Sequence, residues 1–330
     1  MPGKRVNKLS HILISRTDAI GDVVLTLPVA GYLKELFPGI RVSFLGKAYT
    51  GPVIKCSAYV DEYIDYTDLL TMAADEQVSI LKSKNIDAVV HVFPNKHVAH
   101  LVKKAGIKLR IGTTNRVFHW FTCNKLVKLS RKRSDLHEAQ LNLILLKPLG
   151  LKLVPTLKEI VAHNLFKPTV PLPETLASLL STSKRNVIFH PRSNGSGAEW
   201  SLEKFKQLAA ILPQDKFLIF ITGSEKESVL LKEWLKTLPS NVTNVTGQMS
   251  LDELIAFISK VDGLVASGTG PLHLAAALGI NTIGLFPAKR PIHAGRWAPL
   301  GKKVSVIESE GDTLDSIQVD TVSENITSWL

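Results

Sequence analysis

The stretch His11–Phe37, HILISRTDAIGDVVLTLPVAGYLKELF, is the one on which the fold turns. It opens on a short apolar run, HILIS (His11–Ser15), that reads as a buried strand. The polar loop RTDAIGD (Arg16–Asp22) follows. Val23–Phe37 then carries the apolar spacing of a helix, closed by Pro38-Gly39. Pro28 lies inside that helix, where its ring and missing N–H should kink or divide it. Strand, loop and helix in this order begin a βαβ unit, and the grammar continues outward. RVSFLG (Arg41–Gly46) and DAVVHVF (Asp87–Phe93) read as strands, and Leu136–Leu149 as a helix ending at Gly150.

The second half restarts the pattern. NVIFH (Asn186–His190) is a strand, then come a polar loop, a helix over Leu202–Leu212 and the strand KFLIFIT (Lys216–Thr222). Helices are expected over Lys226–Leu238, Ser250–Val261 and Pro271–Leu278, with strands at Gly263–Ser267 and Asn281–Phe286. Two such series imply two doubly wound α/β domains with parallel sheets facing a central cleft, and 330 residues are enough for two cores. Leu151–Lys184 holds Pro155, Pro168, Pro171 and Pro173 and reads as the connecting region. Domains of 1–165 and 166–330 follow, and the last helix, near Asp315–Leu330, has the option of packing on the first.

Cys56 and Cys123 are the only cysteines, which excludes a disulfide framework or a cysteine-rich metal cluster and points to a reducing compartment. The amino terminus has too short an apolar run for a signal peptide, and no run is long enough to cross a bilayer. A soluble, cytoplasmic protein is expected. Net charge is 40 − 29 = +11, and the surplus is concentrated. From Lys96 to Arg133 the basic residues Lys96, Lys103, Lys104, Lys108, Arg110, Arg116, Lys125, Lys128, Arg131, Lys132 and Arg133 meet no Asp or Glu. Such a field fits an anionic partner, or else a solvated face. Phe118, Trp120 and Phe121 lie among these charges, a mixture suited to a lipid headgroup layer and unlike any nucleic-acid-binding motif.

Three loops could carry chemistry, each between a strand and a helix, where open α/β sheets bind ligands. In Arg16–Asp22, Gly21 allows a turn and Asp22 stands at the helix start, either as a helix cap or as a reactive carboxylate. In His190–Trp200, Ser193, Asn194 and backbone N–H groups could cradle a diphosphate while Arg192 balances its charge, unless the loop is plain surface. In Ser267–His273, Gly268 and Gly270 permit close approach, Thr269 offers a hydroxyl, and the helix beginning at Pro271 presents its positive end to a phosphate. His273, one turn in, fits a packed structural role as well as a catalytic one. The G-x-G-x-x-G spacing, the Walker motif, the nucleophile elbow, zinc spacing and an Asp-x-Asp pair are all missing. Charge on a departing diphosphate must then be met by helix ends and cations, with no metal.

At these loops the chain resembles glycosyltransferase family 9, the bacterial lipopolysaccharide heptosyltransferases. The stretches that carry the resemblance are Ile12–Pro28, HEAQLNLILLKPLGL (His137–Leu151), the loop and helix around Trp200, and VTGQMSLDELIAFISKVDGLVASGTGPLHLAAALG (Val245–Gly279). The resemblance implies the GT-B architecture, with the acceptor on the first domain and the nucleotide sugar, with ADP-heptose the leading guess, on the second. It implies inverting transfer without a metal, and puts the catalytic base on Asp22. The donor loops fall on Ser193, Asn194, Gly268, Thr269, Gly270 and neighbouring Pro271 and His273, with Met249 inside the last quoted stretch. A ribose-contacting acid is expected after Gly223, at Glu225 or Glu227. Acceptor contacts are expected at Arg16, Asp18, Gly21, Lys96, Arg110 and Arg116. Two positions depart from the family pattern: Ala198 stands where a lysine is usual, and Gly268 where an aspartate is usual. Arg192, Lys289, Arg290 or Arg296 could replace the missing cation. The expected function is sugar transfer to an anionic, lipopolysaccharide-type glycolipid at the inner face of the cytoplasmic membrane. The competing readings are a different nucleotide sugar, or a non-catalytic nucleotide- or glycolipid-binding protein of the same fold.

Overall fold

The computed structural model describes residues 9–132 and 134–330. The chain forms two compact units, Met1–Phe166 and Lys167–Leu330. In the first, strands β1 (His11–Ser15), β2 (Arg41–Gly46), β3 (Glu62–Asp65), β4 (Ala88–His91), β5 (Leu109–Thr113) and β6 (Lys125–Val127) form one parallel sheet in the order β3-β2-β1-β4-β5-β6. The second holds β7 (Arg185–His190), β8 (Phe217–Ile221), β9 (Val242–Asn244), β10 (Gly263–Ser267), β11 (Asn281–Phe286) and β12 (Val304–Glu308), ordered β12-β11-β10-β7-β8-β9. Both sheets therefore start at an inner strand, grow to one side, and return to grow on the other.

The strands at the switch points β1, β4 and β10 are buried along their whole length, which is why they read as apolar runs. In the first unit Leu13, Leu45 and Val89 pack against Val98 and Val102 of the helix Lys96–Lys104. In the second, Phe189, Phe217 and Ile219 pack against Trp200 and Phe205. Pro28 does divide its helix: one segment runs Ile20–Val24, and the next begins at Pro28 and ends at Leu36. Likewise the expected helix Leu136–Leu149 is Glu138–Ile144 followed by a 3₁₀ turn, Lys147–Leu149, closed by Gly150 at φ 108°. The final helix, Val319–Thr327, packs on the helix Leu202–Ile211, with Val322 and Ile326 in the core of the second unit. Its apolar face is thus accounted for inside its own unit. Among the described residues no helix is long and apolar enough to cross a membrane.

Candidate active site

Open parallel sheets bind ligands beyond the carboxyl ends of their strands, where the direction of growth reverses. That switch lies between β1 and β4 in the first unit and between β7 and β10 in the second. The loops leaving those four strands are the ones to inspect.

In the first unit Arg16 leaves β1 and is almost fully buried. Its Nε donates to Asp18 Oδ1 at 2.7 Å, and its Nη1 to Glu138 Oε1 and Asn142 Oδ1, both at 3.1 Å. Its Nη2 donates to Asp22 Oδ1. Glu138 and Asn142 lie one turn apart on the helix Glu138–Ile144, so one helix face meets the guanidinium. Arg131 closes the cluster from the other side, donating to Glu138 Oε1 at 2.9 Å and to Asn142 Oδ1 and the Val92 carbonyl at 3.0 Å. Three carboxylates thus share two guanidinium groups. Burial opposes charge on Arg16, but Asp18, Asp22 and Glu138 outweigh it and hold the guanidinium more firmly protonated than usual.

Asp22 has the opposite balance. Burial first, and then repulsion from Asp18 and Glu138, push its pKa up to about 6 against the pull of Arg16. Oδ1 is anchored by Arg16, Oδ2 has no hydrogen bond among the described residues, and the side chain is 21% exposed. A carboxylate with one oxygen fixed, the other open and a pKa near neutrality is equipped to take a proton. The helix-cap reading of Asp22 does not hold: Ala19 is the N-cap, and Asp22 sits inside the first turn. Gly21, expected at a turn, is the second residue of the helix.

The other acceptor candidates are scattered. Lys96 is the exposed first residue of the helix that Asn95 caps, and Asn95 Nδ2 donates to Thr17 Oγ1 at 3.2 Å, so it lies beside the β1 loop. Arg110 is a structural clamp instead: its Nε donates to the Thr122 carbonyl at 2.6 Å and its Nη1 to that of Ile107. Arg116 is exposed and donates to the Asn115 carbonyl. A recess of about 630 Å³ lined by Thr114, Asn115, Lys128, Leu129, Ser130 and Lys132 was not foreseen. Arg133 lies outside the described residues.

In the second unit the loop after β7 turns on itself, with Asn194 at φ 47° and Gly195 at φ 78°. Ser193 does not face outward. Its N–H donates to Glu199 Oε1 at 2.6 Å and its Oγ to Glu199 Oε1 at 3.0 Å and the Gly197 carbonyl at 2.9 Å. Arg192 pairs with Glu199 Oε2 at 2.8 Å. The chain's own carboxylate therefore occupies donors that the sequence reading assigned to a phosphate. Asn194 stays exposed. The β10 loop adjoins this one: Ser196 Oγ donates to the Gly268 carbonyl at 3.1 Å, and a Cβ on Gly197 would come within 3.1 Å of the same oxygen.

Beyond Gly268, Thr269 is the N-cap of the helix Gly270–Leu278 but makes no side-chain cap. Thr269 Oγ1 and Ser267 Oγ are both buried without a hydrogen-bond partner. The helix thus presents a positive end with two unengaged hydroxyls beside it, an arrangement that suits an anion. Pro271 lies in the first turn, and His273 is buried on that helix. A side chain at Gly268 would put Cβ within 3.2 Å of the Phe286 ring. Ala198 packs against the core, and among the proposed substitute cations Lys289 pairs with Asp312 and Arg296 lies over the Trp297 ring.

After β8, Glu227 is buried and its Oε2 accepts from the Ser224 N–H and hydroxyl, a capping box. Glu225 is exposed, and Gly223 abuts Glu227 Oε2. His190, at the end of β7, pairs with Thr222 Oγ1 at 2.9 Å. Burial lowers its pKa, with the nearby Glu227 acting the other way. Met249 is half-buried just before the helix Leu251–Ile258.

A profile of glycosyltransferase family 9 (heptosyltransferase) matches residues 78–321. The chain belongs to this family. It is 25% identical over 309 residues to a lipopolysaccharide core heptosyltransferase of Haemophilus influenzae, spanning 90% of this chain and 84% of that relative. Among solved structures it resembles a family 9 glycosyltransferase of Veillonella parvula, with a TM-score of 0.81 at 17% identity and 98% of each chain covered. It also resembles Escherichia coli heptosyltransferase WaaC with ADP, at a TM-score of 0.72, 19% identity, and 97% and 100% coverage. This family 9 glycosyltransferase accordingly has the GT-B type of fold, two doubly wound Rossmann-like α/β units.

Proposed function

We propose that this family 9 transferase moves a heptose from ADP-heptose to an anionic glycolipid of the lipopolysaccharide-core type, inverting the anomeric centre, with Asp22 as general base. The observation that carries this reading is the anchoring of Asp22: Arg16 fixes one oxygen, burial and two neighbouring carboxylates raise its pKa to about 6, and the other oxygen is open. The acceptor hydroxyl would give its proton to Asp22 Oδ2 as its oxygen attacks the anomeric carbon. The bond from that carbon to the diphosphate breaks, and its electron pair leaves with the phosphate.

The departing charge would meet the N-terminus of the helix Gly270–Leu278, the hydroxyls of Ser267 and Thr269, and Arg192 once it exchanges Glu199 for phosphate. No Asp-x-Asp pair is present, so these groups are assigned the role without a metal. Glu227 is the better placed of the two acids for the ribose, because it is buried close to His190 at the strand ends. ADP as the nucleotide is supported by the ADP in the WaaC structure. Lys96 and the Lys128–Lys132 recess are assigned to the acceptor's negative groups. The acceptor lipid places the protein at the inner face of the cytoplasmic membrane.

A second reading, a binding protein or a transferase of another sugar, is favoured by Ala198 and Gly268, which leave the donor loops without the usual lysine and aspartate. A thermal-shift screen of ADP, UDP, GDP and CMP, each with its sugar conjugates, separates the cases. Stabilisation by ADP and ADP-heptose is expected. Stabilisation by another nucleotide alone would reassign the donor, and none at all would remove the transfer reading.

A further inference from the structure

The helix Val117–Thr122, VFHWFT, buries His119 and Thr122, half-buries Phe118 and leaves its other apolar residues in solvent. Helices in a soluble unit normally turn their apolar stripe to the core. Here His119 and Thr122 face inward, while Val117, Phe121 and Trp120 are 63%, 68% and 57% exposed. These three fall at i, i+3 and i+4 and so share one face. The face is held in place. Trp120 Nε1 donates to the Thr114 carbonyl at 2.9 Å, and Lys103 Nζ to that of Phe121 at 2.8 Å. Exposed cations lie on the segments that adjoin it: Lys103 and Lys104 on the helix packed against it, Lys108 just after that helix, Arg116 just before Val117 and Lys125 just after Thr122. No carboxylate occurs from Lys96 to Lys132.

We infer that this face is a docking surface for an anionic phospholipid bilayer, with Val117, Trp120 and Phe121 entering the headgroup layer and the surrounding lysines and Arg116 meeting lipid phosphates. Charge complementarity selects the occupant. Aromatic side chains with a wet rim of cations are suited to the boundary between headgroups and acyl chains, and each basic residue adds attraction to an anionic surface. A second copy of the same face would bring one set of cations against another, so self-association is opposed. The basic stretch lacks a nucleic-acid-binding motif, and its three apolar side chains are more than half exposed on one helix face.

The test needs neither donor nor turnover, so it fails or succeeds independently of the transfer reading. The full chain is sedimented with vesicles of phosphatidylcholine alone and of phosphatidylcholine with phosphatidylglycerol, at low and high salt. Binding to the anionic vesicles is expected, with at least a tenfold loss for Trp120→Ser/Phe121→Ser and a comparable loss for Lys104→Glu/Lys108→Glu. Both pairs are solvent-exposed, and Trp120→Ser gives up one hydrogen bond to the Thr114 carbonyl, so melting temperatures should fall by no more than about 5 °C and confirm folding. A blue shift of fluorescence on vesicle addition, absent in Trp120→Phe, would report entry of that ring. Equal binding by wild type and the aromatic variant, or no binding to anionic vesicles, would overturn the inference. Concentration-dependent self-association that the aromatic variant abolishes would also overturn it and assign the face to a second copy.

Discussion

Glu138→Gln probes the electrostatics of Asp22 without touching Asp22. Glu138 is fully buried and shares Arg16 with Asp22, one on each side of the guanidinium. Like charges in that arrangement lie roughly 5–6 Å apart, and at an effective dielectric of ~20 they repel by about 3 kcal/mol. That equals about two pKa units, and the partial exposure of Asp22 screens it to about one. The sign is fixed by the role. A general base must be unprotonated, so wild-type kcat/KM should fall as pH drops through about 6. Removing the Glu138 charge makes the unprotonated form of Asp22 easier to hold, and the acid limb should move down by about one unit. Glutamine keeps an oxygen for Arg16 and Arg131, so the stability cost should stay at about 1–3 kcal/mol. The assay is kcat/KM against pH for both proteins, with a melting curve at each pH. An acid limb that stays in place in a folded variant would refute the claim that the carboxylate cluster sets the pKa of Asp22.

The same cluster makes Arg16 indispensable to the fold. Arg16→Met leaves Asp18 and Asp22 without their cation, while Glu138 keeps Arg131, and should cost about 3–5 kcal/mol at neutral pH by denaturant titration. Carboxylates left unpaired have raised folded pKa values, so their penalty grows as pH rises through them and should shrink toward pH ~4. At the ribose position, Glu227→Ala should weaken ADP binding about tenfold or more by calorimetry, while Glu225→Ala should leave it within about twofold; the reverse result would move the assignment to Glu225. Glu199→Gln removes the charge that holds Arg192, so ADP should bind several-fold more tightly, whereas unchanged affinity would mean that Arg192 does not reach the diphosphate.

What the sequence made legible follows burial. β1, β2, β10 and β11 are inner or well-covered strands, continuous apolar runs whose limits were read as they stand. The strands that escaped notice are short or partly wet: the edge strand β12 (VSVIE) is largely exposed, the edge strand β9 has three residues, and β5, though paired on both sides, carries Arg110. Loop positions at both switch points were readable from strand–loop–helix order alone. Their partners were not. Glu138 and Asn142 stand more than a hundred residues from Arg16, and nothing local marks their side chains as aimed at it. Glu199 was passed over because a carboxylate in a loop full of donors looks like a defect until the geometry shows that it fills the cradle. Arg110 was overvalued for the opposite reason, since charge alone does not reveal that a guanidinium is tied to backbone carbonyls.

The most direct test of the central claim is release of ADP from ADP-heptose in the presence of a lipopolysaccharide-core acceptor, compared between wild type and Asp22→Asn. Removing a general base should lower turnover by about 10²–10⁴-fold while ADP affinity stays unchanged. Turnover by Asp22→Asn equal to the wild type would contradict the account.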